Sequence, residues 1–263
     1  MTASLASASE HLRAERLAQA ETEAKAALAV DPSADSGWHL LAVIAHRKGR
    51  LQAAESTLRK ALTLAPGNAI YRADLGTVLA KQKRPEEAEA EFRAAIAAEP
   101  GFLLGYFRLA ELEAERDRDW EAETALRQAI SARPDAAETY FRLGIFLQER
   151  VRPGQAARAF AQAFSLNPLN AEAANRLANS LDVLGRSLEA VPALEAVLRA
   201  RPKDQVTLLN LATVLIKGGR LDEAEPVVAR ALASFPGLAE VRELEKALRQ
   251  MREAALTDAG SAL

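Results

Sequence analysis

The sequence predicts an all-α chain built as a linear stack of helical hairpins, and three regularities predict it. Prolines 32, 66, 100, 134, 168, 202 and 236 stand at a constant interval of 34 residues. Twelve residues before each of them the chain has alanine, from Ala20 and Ala54 to Ala190 and Ala224. Five residues before each proline a small apolar side chain (Ala27, Ala61, Ala95, Ala129, Ala163, Val197, Ala231) is followed by a large one (Leu28, Leu62, Ile96, Ile130, Phe164, Leu198, Leu232). A fixed period of this length marks supersecondary units that each bury one face on a neighbour, so binding surface runs along the stack instead of closing into one pocket.

Within a unit, Leu75, Val78 and Leu79, then Ala88, Phe92, Ala95 and Ile96, follow the three-and-four spacing of amphipathic helices. Two helices result, A and B, each of about a dozen residues. Gly49, Gly185 and Gly219 mark the turn between them, and Pro85 and Pro153 stand where a helix N-terminus tolerates a missing N–H. The periodic proline disfavours helical geometry in the residue before it and closes helix B, with Gly67, Gly101 and Gly237 next in three units. Pro192 and Pro226, at unit position 22, are expected to disturb only the first turn of helix B. The units are 1–34, 35–68, 69–102, 103–136, 137–170, 171–204 and 205–238, the first degenerate because Ser4 and Ser7 replace large residues. Val241, Leu244, Leu248 and Met251 then give one apolar face to a capping helix over 239–256, and 257–263 reads as a flexible tail.

Leu at unit position 7, a small residue at 8, Ala at 20, a larger apolar residue at 24, Ala at 27 and Pro at 32 make a pattern that resembles the tetratricopeptide repeat (TPR). YFRLGIFL at 140–147 and AARAF at 156–160 lie near the family consensus, and the resemblance covers roughly Met1 to Leu238. It implies a right-handed α-solenoid of helix-turn-helix hairpins whose helices A line a concave groove. It further implies a non-catalytic adaptor or scaffold that binds protein partners.

Composition narrows the partners. A net charge of −2 lacks the basic footprint of a nucleic-acid binder. The absence of cysteine excludes disulfides and thiolate metal sites. The first residues lack a basic leader and an apolar run, and no stretch has the roughly 18 apolar residues that span a bilayer, so a soluble cytoplasmic protein without membrane insertion is expected.

No catalytic or metal constellation emerges, and no cofactor is expected. His39 and His46, at unit positions 5 and 12 of one helix, are expected to face the groove with no third ligand in reach. Lys217-Gly218-Gly219-Arg220 lacks the order of a phosphate loop and reads as a turn.

In TPR proteins helix A meets ligands chiefly through unit positions 2, 5, 6, 9, 12 and 13. By that resemblance the candidate partner-binding residues are Arg108, Arg142 and Arg176 at position 6, continued by Asn210, with Phe107, Phe141, Asn175 and Asn179 beside them. They would grip a peptide that is extended or acidic, the arginines on carboxylates and the asparagines on backbone amides. The competing reading places Glu138 and Glu172 in inter-repeat salt bridges with Arg108 and Arg142, while Arg176 lacks a carboxylate at position 2 of the next unit. Asn179 and Asn210 match two asparagines of the carboxylate clamp of TPR co-chaperones. Asn175, Glu240 and Leu244 stand where that clamp has lysine, lysine and arginine, which disfavours a chaperone-tail receptor. Two alternatives remain open: a self-assembling scaffold, a homo-oligomer joined through the first repeat, and a recruiting arm for an enzyme on another chain, as in TPR-containing glycosyltransferases.

Overall fold

Helices formed by the 34-residue pattern begin and end almost where it places them. The computed structural model describes residues 3–261, and Met1, Thr2, Ala262 and Leu263 lie outside that range, including the ends of the first repeat and of the assigned tail. Among the described residues there are 15 α-helices and no strand. Every helix B ends two residues before its proline, as at Val30, Leu64 and Ala98. The chain divides into two compact units, 1–134 and 135–263.

The first unit contains four hairpins: α1 (Ala3–Arg13) with α2 (Leu17–Val30), α3 (Asp35–Arg47) with α4 (Leu51–Leu64), α5 (Ala69–Lys81) with α6 (Pro85–Ala98), and α7 (Leu103–Glu115) with α8 (Asp119–Ala132). Each helix B also packs on the helix A that follows it. Ala20, Ala54, Ala88 and Ala122 are fully buried, as a residue at a close helix–helix approach must be.

The second unit contains α9 (Ala137–Glu149) with α10 (Pro153–Leu166), α11 (Ala171–Val183) with α12 (Val191–Ala200), α13 (Gln205–Lys217) with α14 (Leu221–Ser234), and α15 (Ala239–Ser261) packed on α13 and α14. The two interior prolines behave differently. Ahead of Pro192 the first turn of helix B is a 3-10 turn, Ser187–Ala190, whereas α14 runs unbroken through Pro226. Val241 and Leu248 of α15 are buried, and Arg252 ties it to Asp222 and Glu225 of α14 at 2.9 and 2.8 Å. The helix continues to Ser261, past the expected end near Leu256, because Thr257, Asp258 and Ala259 contain no breaker ahead of Gly260.

Side-chain volume is matched inside each hairpin. Gly76 and Gly144, at unit position 8, face Phe92 and Phe160 at position 24, so close that a Cβ at either glycine would lie 2.6 or 2.5 Å from the ring. Where position 8 is alanine (Ala42, Ala110, Ala178, Ala212), position 24 holds the smaller Leu58, Leu126, Leu194 or Val228, all buried. One methyl group on helix A is thus exchanged for one ring on helix B.

The turn between helices A and B uses a left-handed residue at unit position 15 in every hairpin. Gly49, Gly185 and Gly219 take φ of 71°, 68° and 73°, and Glu15, Lys83, Asp117 and Val151 take 58°, 63°, 58° and 54°. Val151 is β-branched and costs most there, because its Cβ crowds the following carbonyl.

Candidate partner-binding surface

Helix A carries the candidate residues, and its period divides them between core and surface. Position 5 turns inward: Phe107 and Phe141 are 6% and 9% exposed. Phe141 packs against Phe160 at 5.8 Å between ring centroids, in the space that Gly144 leaves. Both rings are therefore largely withdrawn from any ligand, and the aromatic surface expected at those positions is spent on the hairpin core.

The position-6 arginines are paired within their own helices. Arg142 Nε donates to Glu138 at 2.7 Å and Arg176 Nε to Glu172 at 2.9 Å, both at i,i+4, while Arg108 Nη1 donates to Glu111 at 2.8 Å, at i,i+3. This corrects the inter-repeat pairing expected for Glu138 and Glu172. Glutamate four residues before arginine lies on the same helix face, a shorter reach than the next hairpin offers. Arg176, with no carboxylate at position 2 of the next unit, pairs with Glu172 of its own helix. It also donates to Gln148 on α9 at 3.1 Å and lies over the Phe141 ring at 5.8 Å, so it joins two hairpins as a fixed wall.

Four polar residues, on α11, on α13 and at the N-cap of α13, form one chain of hydrogen bonds. Asn210 Nδ2 donates to Asn175 Oδ1 at 2.9 Å, Asn175 Nδ2 to Thr207 Oγ1 at 3.0 Å, and Thr207 Oγ1 to Asp204 Oδ1 at 2.7 Å. Asp204 also caps α13 by accepting from the Thr207 amide. Asn175 is buried, 8% exposed, so its amide positions Asn210. Asn179 lies exposed one turn along α11, and its side chain makes no hydrogen bond among the described residues.

The first unit presents a different surface. Arg108 lines two adjoining recesses of about 290 and 140 Å³ along α3, α5 and α7, which share Thr77. His46 Nε2 is buried there without a hydrogen-bond partner, and burial, then the Lys81 charge, holds the ring below the usual histidine value. His39 Nε2 lies 2.6 Å from Asp74 Oδ2, and its ring stacks on Tyr71 at 4.5 Å. Among the described residues no group of three or more His, Asp or Glu is placed to hold a metal ion, and no helix is long and apolar enough to cross a membrane.

One recurrent pair escaped the sequence analysis. Arginine stands at unit position 16 in all seven hairpins (Arg16, Arg50, Arg84, Arg118, Arg152, Arg186, Arg220), and glutamate stands at position 21 in the first four and again in the seventh, as Glu225. In the first unit the arginine of one hairpin reaches the glutamate of the preceding one: Arg50 to Glu21 at 3.4 Å, Arg84 to Glu55 at 2.9 Å, Arg118 to Glu89 at 3.5 Å. Hydrogen bonds from Lys25 and Lys48 hold the Glu21 carboxyl down at about 2. The invariant arginine, with glutamate recurring five positions after it, was the available signal.

Comparison with known proteins agrees with this architecture. Two tetratricopeptide repeat profiles match the sequence, one over residues 45–102 and 184–248, the other over 5–69 and 147–205. No curated protein matches significantly. Among solved structures, the C-terminal part of a TPR repeat-containing protein from Cytophaga hutchinsonii is similar with a TM-score of 0.66 at 15% identity, over 91% of this chain and 98% of that one. PilW, a widely conserved type IV pilus biogenesis factor, gives 0.59 at 23% identity, over 81% and 96%. YrrB, a TPR protein with an unusual peptide-binding site, gives 0.55 at 19% identity, over 72% and 97%. At these identities the likeness is one of fold. With its helical hairpins, its repeating small-residue contacts and two matching family profiles, the chain belongs to the tetratricopeptide repeat family, whose members serve as protein–protein interaction modules.

Proposed function

We propose that the second unit binds an extended partner segment along the helix A faces of α11 and α13, as a non-catalytic adaptor, with Asn179 and Asn210 contacting the backbone of the segment. The observation that carries this reading is the amide chain from Asn210 through Asn175 and Thr207 to Asp204, beside the exposed Asn179. A side-chain amide fixed from behind loses little freedom on meeting a peptide group, and carboxamides match the donor and acceptor of a backbone. Arg142 and Arg176 already have carboxylates beside them, which favours an extended segment of modest charge over a strongly acidic one. YrrB, a fold neighbour with a peptide-binding site, is in keeping with this use of the fold.

Selection of a displayed random decapeptide library on the purified full chain tests the proposal. The selected pool is expected to bind Asn179→Ala about tenfold more weakly, the loss of roughly one buried hydrogen bond to a ligand, with an unchanged melting temperature. Equal capture by wild type and Asn179→Ala overturns the assignment.

A further inference from the structure

The position-21 clamp is a repeated device, and the place where it is missing is informative. At the three joints of the first unit a glutamate from helix B is held by the following A–B turn: Glu21 by Lys48 and Arg50, Glu55 by Arg84, Glu89 by Arg116 and Arg118. The joint between the fifth and sixth hairpins alters both halves of it, although the seventh hairpin keeps the glutamate as Glu225, paired with Arg252. Ala157 replaces the glutamate on α10, and Leu184 takes the turn position occupied by Lys48, Gln82 and Arg116 in earlier hairpins. Arg186 then closes on Glu189 of its own turn, in two hydrogen bonds of 2.6 and 2.8 Å.

A recess of about 320 Å³ remains between α10 and the turn after α11, walled by Ala157, Leu177, Leu181 and Leu184. Gly154 lies at its mouth, and a Cβ there would meet nothing within 4 Å. The next joint is closed differently: Leu188 of the 3-10 turn packs on Gly218, where an added Cβ would lie 2.4 Å from it. The joint between the fifth and sixth hairpins is thus neither clamped nor plugged.

We propose that this joint is a second docking site, distinct from the Asn179 and Asn210 surface, which takes a leucine-sized side chain of a partner segment lying next to a carboxylate. The leucine and alanine walls suit a hydrocarbon group, and the volume admits one branched side chain with part of its backbone. Charge complementarity selects its neighbour. Arg158, exposed on the rim, has no ion-pair partner among the described residues, while the rim carboxylate of Glu189 is matched by Arg186.

The test is a titration of the full chain, labelled with 13C at leucine methyls, with the probe Ac-Asp-Leu-Leu-Asp-NH2. Saturable shifts of the Leu177, Leu181 and Leu184 methyls are expected. Ac-Asn-Leu-Leu-Asn-NH2 should bind about fivefold more weakly, the size of one partly exposed ion pair, and Arg158→Glu should weaken the acidic probe at least as much. Ala157→Glu installs the clamp used at the joints of the first unit and should abolish the shifts while keeping helicity and melting temperature. If that variant fails to fold, Leu184→Lys reads the same outcome from the solvent edge of the recess. Leucine methyls that do not shift saturably, or an affinity unchanged by filling the recess, overturn the proposal. Asn179→Ala should leave the titration unchanged, so failure here and failure of the groove assignment are separable.

Discussion

The ring of Phe160 lies so close to Gly144 that a Cβ on the glycine would come within 2.5 Å of the ring carbon Cε1. Phe160 is fully buried and cannot swing aside. Gly144→Ala should therefore cost about 1–3 kcal/mol by overpacking. Phe160→Leu alone should cost a similar amount through the void it leaves. The double variant reproduces the Ala–Leu pairing of Ala42 with Leu58, and should be more stable than the sum of the single losses by about 1–2 kcal/mol. Urea denaturation of the four proteins measures that coupling, and strict additivity would show that the two positions are independent.

Val151 holds the left-handed turn position with φ of 54° and is 83% exposed, so its side chain contributes little packing to offset the strain. Val151→Gly should raise stability by about 1 kcal/mol, the left-handed penalty less the extra chain entropy of glycine. A thermal melt that stays level or falls would mean that the turn is relaxed as it stands.

Glu113 occupies unit position 11, where later hairpins have buried Leu147, Leu181 and Leu215, and it is only 1% exposed. Burial, followed by the nearby Glu89 charge, pushes its carboxyl up, with Arg116 and Arg118 opposing. The folded chain therefore holds this proton more tightly than the unfolded chain does. Its contribution is full below the ordinary carboxylate value and lost as pH rises through the elevated one. Glu113→Leu should stabilise the protein at pH 7 by about 1–2 kcal/mol and by progressively less on acidification, because replacing a buried charge with a packed side chain removes a desolvation cost. Glu21 has the opposite sign: stability from its lysine contacts is present above the ordinary carboxylate value and is lost as pH falls towards about 2. Denaturation of wild type and Glu113→Leu at several pH values separates the two, and a constant difference across pH would rule out titration of Glu113.

The hairpin stack was legible because backbone geometry repeats with the residues that impose it. Ala at position 20 and Pro at 32 act locally in every copy, so the helix ends follow from them. The pairing of Gly76 with Phe92 and Gly144 with Phe160 was also written in the chain, as a covariation between two columns of the repeat. The candidate surface was harder to see. Phe107 and Phe141 differ from surface residues only by the rotation of the helix face, and Arg142 pairs with Glu138 one turn back on its own helix. The link from Asn210 to Asn175 depends on side chains 35 residues apart meeting between α11 and α13, which no single repeat encodes.

The most direct measurement of the binding assignment is the side-chain amide resonances of Asn179 and Asn210 during titration with a peptide selected on the full chain. Both should shift saturably with one shared dissociation constant, while Trp38 in the first unit stays fixed. Amide resonances of Asn179 and Asn210 that remain in place at saturating peptide would contradict recognition by this surface.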